Sequence, residues 1–184
     1  MNNDALVAAL GMDAVAAVHG YRSAVICEAA RRGLRLVSGS LSEVVRTAVG
    51  SRIVDPLDIR LTVRRSVGRG DLQGRELRWS PEHGWALRCP PTQLPVRYYA
   101  GPSAVPLHLV PTVGDVLDWA IADLDGPAAR YSALPPDGVD LDDDPATLHR
   151  LIAFIDPQRR SRAYQDFRTT DRPLYAGMRH PRRP

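Results

Sequence analysis

Residues 76–88 read ELRWSPEHGWALR, and this stretch decides the fold. Leu77 and Trp79 alternate with Glu76 and Arg78. Ser80-Pro-Glu-His-Gly84 supplies turn residues, and Trp85, Leu87 and Cys89 then resume the alternation. A period of two between apolar and polar residues is the pattern of a half-buried strand. Two such runs joined by a Pro- and Gly-containing turn make a hairpin. The spacing predicts one strand over 76–79 and another over 85–89, with Leu77, Trp79, Trp85 and Leu87 on a common apolar face.

Working outward, Ile59, Leu61 and Val63 alternate with Arg60, Thr62 and Arg64, which predicts a strand before the hairpin. A loop with glycines at 68, 70 and 74 joins the two. These glycines lie between two strands and not between a strand and a helix, so they read as a flexible hairpin loop and not as a nucleotide cradle. Residues 95–100 form a fourth β-prone run, closed by Gly101-Pro102. Short connections throughout favour an antiparallel meander.

Helices flank the strands. Residues 3–32 carry apolar positions at helical spacing (Leu6, Val7, Leu10, Val18, Tyr21, Val25, Ala29), with Gly11 dividing the run and Gly33 ending it. Ser40-Leu-Ser-Glu43 is a capping-box pattern ahead of Val44, Val45, Ala48 and Val49. Thr112 caps a helix expected over 112–125, with Val113, Val116, Leu117, Ala120, Ile121 and Leu124 as its stripe. Asp144-Pro145 opens a short helix with Leu148, Leu151, Ile152 and Ile155 on one face. The expected fold is α+β: a mainly antiparallel four-stranded sheet packed on helices in two layers, with a basic C-terminal extension. Residues 1–126 are the core domain, 127–156 an acidic loop with a short helix, and 157–184 a basic tail.

Composition excludes some chemistry. All 24 basic residues among the 184 are Arg. Without Lys there is no Schiff base, no phosphate-loop lysine and no kinase-type strand lysine. Two cysteines, Cys27 and Cys89, cannot build a four-Cys zinc site or a disulfide framework. No positively charged leader opens the chain, and Asp13, His19, Arg22 and Glu28 interrupt the apolar stretch from Ala5 to Ala30. A cytoplasmic protein with no membrane partner is therefore expected.

The net charge of +3 conceals segregation. Residues 56–110 hold 8 Arg and 4 acids, a balance of +4. Residues 111–155 hold 2 Arg and 9 acids, a balance of −7, and residues 156–184 hold 8 Arg and 3 acids, a balance of +5. Separation of this kind marks interaction surfaces. If the aliphatic and Trp face of the sheet is the core, the opposite face carries Arg60, Arg64, Arg78, Arg88 and Arg97, with Tyr99 nearby. Arg beside an aromatic ring can hold phosphate and stack a base, although long Arg stems also simply cover a solvated face. The tail offers a second basic surface, in which Arg159, Arg160, Arg162 and Arg168 lead a set suited either to phosphates or to the chain's own acidic segment.

Other features carry less chemistry. Asp137, Asp140, Asp142, Asp143 and Asp144 lack the Gly and terminal Glu of a calcium loop and read as a solvated acidic loop. His83 falls in a turn, and the remaining histidines show no metal-ligand spacing. There is no Gly-x-Ser-x-Gly, and no Ser–His–Asp set follows from spacing. Arg69-Gly70-Asp71 matches an adhesion tripeptide by coincidence. No cofactor, metal or catalytic residue is expected.

The hairpin Trp79-Ser-Pro-Glu-His-Gly-Trp85, with Arg64-Arg65 upstream, Val96-Arg-Tyr-Tyr-Ala-Gly101 downstream and Gly20-Tyr21 in the first helix, resembles a family of uncharacterised actinobacterial domains over about residues 12–125. That family has no assigned activity, so the resemblance transfers no functional residue. The segment between Gly33 and Pro56 is longer than in the family, and the chain beyond Gly126 departs from it. The function expected is a non-enzymatic regulatory or partner-binding module acting through charged surfaces, toward a protein partner or a second copy of itself as a homodimer. The alternatives are a nucleic-acid-binding protein using the Arg face and tail, and an enzyme or small-ligand binder with a pocket between sheet and helices.

Overall fold

The structure is a computed structural model, and it describes residues 3–11, 13–38, 57–89, 96–100, 109–122, 131–132, 134 and 145–155. Helix α1 (Asn3–Leu10) and helix α2 (Asp13–Arg31) are separated at Gly11, and Gly33 follows the end of α2, as the sequence implies. Strand β1 (Leu34–Ser38) comes next, then β2 (Ile59–Ser66), β3 (Glu76–Ser80), β4 (Gly84–Arg88) and β5 (Arg97–Tyr99). Helix α3 (Val113–Ile121), the two-residue strand β6 (Tyr131–Ser132) and helix α4 (Pro145–Ile152) complete the order.

The fold is α+β with an antiparallel sheet whose spatial order is its chain order, β1 to β6. The four expected strands are present, and the sheet is wider than expected. It has five strands of three or more residues, plus the β6 pair beside β5. Leu34 and Leu36 of β1 do alternate with exposed Arg35 and Val37, but directly behind a helix so short a run carries little signal. The expected helix over 44–49 and the whole basic tail lie outside the described residues.

Register makes the alternation physical. Ile59 pairs with Trp79, Leu61 with Leu77, Trp79 with Trp85, and Leu77 with Leu87. All of these side chains fall on one face and are almost fully buried, in one hydrophobic cluster with residues of α2 and α3. The turn between β3 and β4 is Pro81, Glu82 and His83, closed by Gly84 at φ 63°. Pro presets the first turn position, and the left-handed last position needs glycine.

Tyr21 of α2 stands against both tryptophans, with ring centroids at 6.1 Å from Trp79 and 6.0 Å from Trp85, edge to face. Such pairs add about 0.5–1.5 kcal/mol beyond their buried area. The polar atoms are satisfied as well. Trp85 Nε1 donates to the Tyr21 hydroxyl at 2.9 Å, which donates to the Pro111 carbonyl at 2.8 Å. Trp79 Nε1 donates to the Leu109 carbonyl at 2.6 Å. One Tyr and two Trp thus tie residues 109–111 to the sheet and set the start of α3.

Gly20, next to Tyr21, has a different reason. A Cβ there would collide with the Phe154 backbone, so glycine permits the close approach of the turn after α4 to α2. Leu148, Leu151, Ile152 and Ile155 join the same hydrophobic cluster as the sheet and α2.

Helix α3 is shorter than the sequence implies. Thr112 caps it, its Oγ1 accepting from the Asp115 amide at 3.1 Å, but the helix ends at Ile121 and Ala122 turns extended. Leu124 lies outside the described residues. The loop between β2 and β3 supplies the stop. Arg75, only 5% exposed, donates from Nη1 to the Ala120 carbonyl at 2.9 Å and to the Ala122 carbonyl at 3.1 Å. A guanidinium at the negative end of a helix satisfies orphan carbonyls and complements the dipole. The loop expected to be flexible is therefore folded, with a 3-10 turn at Gly70–Leu72 and Leu72 buried. Arg69 pairs with Asp71 at 2.9 Å and reaches the Ile121 carbonyl at 3.4 Å. The tripeptide match at 69–71 serves this clamp.

Candidate functional site

The face of the sheet turned away from the core is built by the residues that alternate with the buried ones. Reading across the strands, Arg60 pairs with Arg78, Arg78 with Ala86, Ala86 with Tyr98, and Tyr98 with Ser132. In the next row Thr62 pairs with Glu76 and Glu76 with Arg88. An open groove of about 520 Å³ lies over β2 to β5, lined by Asp58, Arg60, Arg78, Ser80, His83, Ala86, Arg88, Val96 and Tyr98, with the backs of core residues as its floor. That volume is within the usual range for a small-ligand site.

Three of the sequence-selected residues, Arg60, Arg78 and Arg88, meet in this groove and are exposed. Arg64 is exposed but sits at the irregularity in the β1–β2 pairing, outside the groove. Arg97 pairs with Leu87 and so belongs to the register of the core face, half-buried at its edge. Tyr99 is corrected. It is 4% exposed and stacks edge to face on Trp119 at 5.5 Å, inside the core. Tyr98 takes the outward place. Arg159, Arg160, Arg162 and Arg168 lie outside the described residues.

The sequence reading missed Asp58 and Tyr98 and treated His83 as a simple turn residue. Alternation alone permits either Tyr98 or Tyr99 outside, and only the pairing of Tyr98 with Ala86 decides. Asp58 precedes its strand, where the alternation does not yet run. His83 leans over the groove, its ring centroid 6.3 Å from that of Tyr98. Its ring Nδ1 is 3.9 Å from the Glu82 carboxylate, and its backbone N–H donates to Ser80 Oγ at 3.1 Å.

The groove is cationic. Arg60 and Arg78 stand directly opposite each other on neighbouring strands, an arrangement that is destabilising for like charges. Among the described residues Arg60 and Arg88 make no ion pair, and Arg78 reaches the Glu76 carboxylate only at 4.0 Å. Burial pushes the Asp58 carboxyl above the usual carboxylate range, and Arg60 and Arg78 pull it part of the way back. By count, one carboxylate faces three guanidiniums along the groove.

Elsewhere, burial pushes the Cys89 thiol up, away from a reactive thiolate. Among the described residues no group of three His, Cys, Asp or Glu is placed to hold a metal ion. Among the same residues no helix is long and apolar enough to cross a membrane. No family model, no curated protein and no solved structure matches the chain.

Proposed function

We propose that the protein is a non-enzymatic binding module that holds an anionic partner on the outward face of its sheet. The observation that carries this reading is the Arg60–Arg78 opposition, flanked by Arg88, around an open groove. A bound anion would convert a like-charge contact into bidentate pairing, for which planar guanidiniums are suited. Segment 111–155, with its balance of −7, gives a second copy of the chain or another acidic protein the matching sign. Cys27 and Cys89 are not joined in a disulfide, which is compatible with action in a reducing cytoplasm. The resemblance to actinobacterial domains of unassigned activity rests on the hairpin motif and adds no chemistry to this proposal.

The test compares variants of equal charge. Arg60→Gln/Arg78→Gln removes two charges from the groove, while Arg31→Gln/Arg65→Gln removes two exposed charges outside it. On a polyanionic matrix the groove variant should elute at clearly lower salt than the control. Equal elution would show that bulk charge, not this face, does the binding.

Nucleic acid is the second reading, favoured by one observation: Tyr98 places an aromatic ring in the groove beside the Arg column.

A further inference from the structure

We infer that the groove takes a nucleotide unit, with its phosphate on Arg60 and Arg78 and its base against Tyr98. The inference rests on the binding-module reading and names the ligand chemistry.

The argument is asymmetry. A site for acidic side chains needs only distributed positive charge. Arg60 and Arg78, on β2 and β3, form one side of this groove, Tyr98 on β5 stands at the other, and Arg88 lies on β4 between them. Ala86 is the strand partner of both Arg78 and Tyr98. Neighbouring strands are about 4.8 Å apart, so Arg78 and Tyr98 spring from backbones about 10 Å apart. Between them stands only a methyl group. The result is a slot walled by Tyr98 and His83 and by Arg78, wide enough for a flat ring. Arg60 extends the cationic side by one more strand. A base stacked on Tyr98 sets its own phosphate toward the Arg pair, and one nucleotide satisfies both ends at once.

Stacking uses the face of a base, so the base must be unpaired. The same chemistry comes from a free nucleotide or from a residue of a single strand. The duplex does not supply it.

The full-length chain is titrated against a fluorescein-labelled single strand of about a dozen nucleotides, a length spanning typical single-strand site sizes. The matching duplex is titrated in parallel, and adenosine monophosphate and polyglutamate serve as competitors. Tyr98→Ala should weaken single-strand binding by about 5- to 100-fold, as loss of one stacked base does, and Tyr98→Phe should retain it. Ala86→Leu should also weaken binding, by filling the slot without touching charge or ring. Arg60→Gln and Arg78→Gln should each lower the slope of log affinity against log salt by about 0.7. Near-ultraviolet circular dichroism checks that each variant keeps its buried tryptophans packed. Displacement by adenosine monophosphate identifies the free nucleotide as sufficient. Tyr98 dependence without such displacement identifies the single strand. If Tyr98→Ala and Ala86→Leu bind as the parent does, or the duplex binds as well as the single strand, the nucleotide inference is overturned. If polyglutamate then competes with the same dependence on Arg60 and Arg78, the anion-binding reading survives alone. If neither nucleic acid nor polyglutamate binds at low salt, both readings fall.

Discussion

Tyr21→Phe removes one oxygen on which two buried groups depend. Its hydroxyl accepts from Trp85 Nε1 and donates to the Pro111 carbonyl. In the variant both partners lose their bond inside the core, at about 1–3 kcal/mol each, so a loss of about 2–6 kcal/mol is expected at pH 7. The alkaline limb supplies a second, independent signature. Burial pushes the Tyr21 hydroxyl well above its ordinary 10.0, so the folded chain keeps a proton that the unfolded chain releases. A group with a raised folded value contributes stability that is complete below its unfolded value. That stability drains away as pH rises from there through the folded value. From about pH 10 upward the parent should lose about 1.4 kcal/mol per pH unit through this residue, and the Phe variant should not. The gap between them should therefore narrow at that rate. The absence of Lys makes the window legible, because the side chains titrating there are six Tyr and two Cys. The other five tyrosines are common to both proteins and cancel in the difference. Urea unfolding of both proteins at pH 7, 9, 10 and 11, followed by Trp fluorescence, measures the gap directly. A gap that stays constant to pH 11 would refute the burial of this hydroxyl. A gap below about 1 kcal/mol at pH 7 would refute its two bonds.

Gly20→Ala should cost about 1–3 kcal/mol or more, because the new methyl meets the Phe154 backbone and the turn after α4 must move; chemical denaturation with quenching of Trp fluorescence reads both effects. Arg75→Met keeps the aliphatic stem but removes the donors to the Ala120 and Ala122 carbonyls, so a loss of about 2–4 kcal/mol is expected, with faster amide exchange in the last turn of α3. Arg60→Thr relieves the like-charge contact with Arg78 and puts a β-branched residue in the strand, so the free protein should gain up to about 1 kcal/mol in urea unfolding. The same variant should bind polyanions more weakly at every salt concentration.

The fold was largely legible because the hairpin is locally consistent. At 76–88 alternation, turn chemistry and aromatic placement all agree, and the structure returns that register with Trp79 facing Trp85. Legibility failed where information is non-local. The end of α3 is set by Arg75, a residue 45 positions away from Ala120, and no local stop signal at 121–122 announces it. The loop at 68–74 reads as flexible because Gly dominates it, whereas its structure comes from Leu72 and Arg75 reaching into the core and α3. The candidate site was half legible. Alternation put Arg60, Arg78 and Arg88 together, since each is fixed by a strong strand. It could not choose between Tyr98 and Tyr99, because a three-residue strand carries too few positions to set its own phase.

The two faces of the sheet meet opposite demands. On the core face each buried polar atom of Tyr21, Trp79 and Trp85 has a partner, and the strand pairs are apolar on apolar. On the outer face the central pair is Arg on Arg, which weakens the sheet by some tenths of a kcal/mol where a Thr or a Glu would strengthen it. Solvation alone would be served equally well by a mixed row such as Thr62 and Glu76 one step away. The same strands therefore already contain the stabilising alternative, and the Arg row departs from it at the position where the groove opens and the one outward tyrosine of β5 stands. Local rules broken next to a cavity, with only the 4.0 Å pair of Arg78 with Glu76 and the nearby Asp58 carboxyl in partial compensation, are what a binding surface leaves in a fold otherwise in agreement with itself.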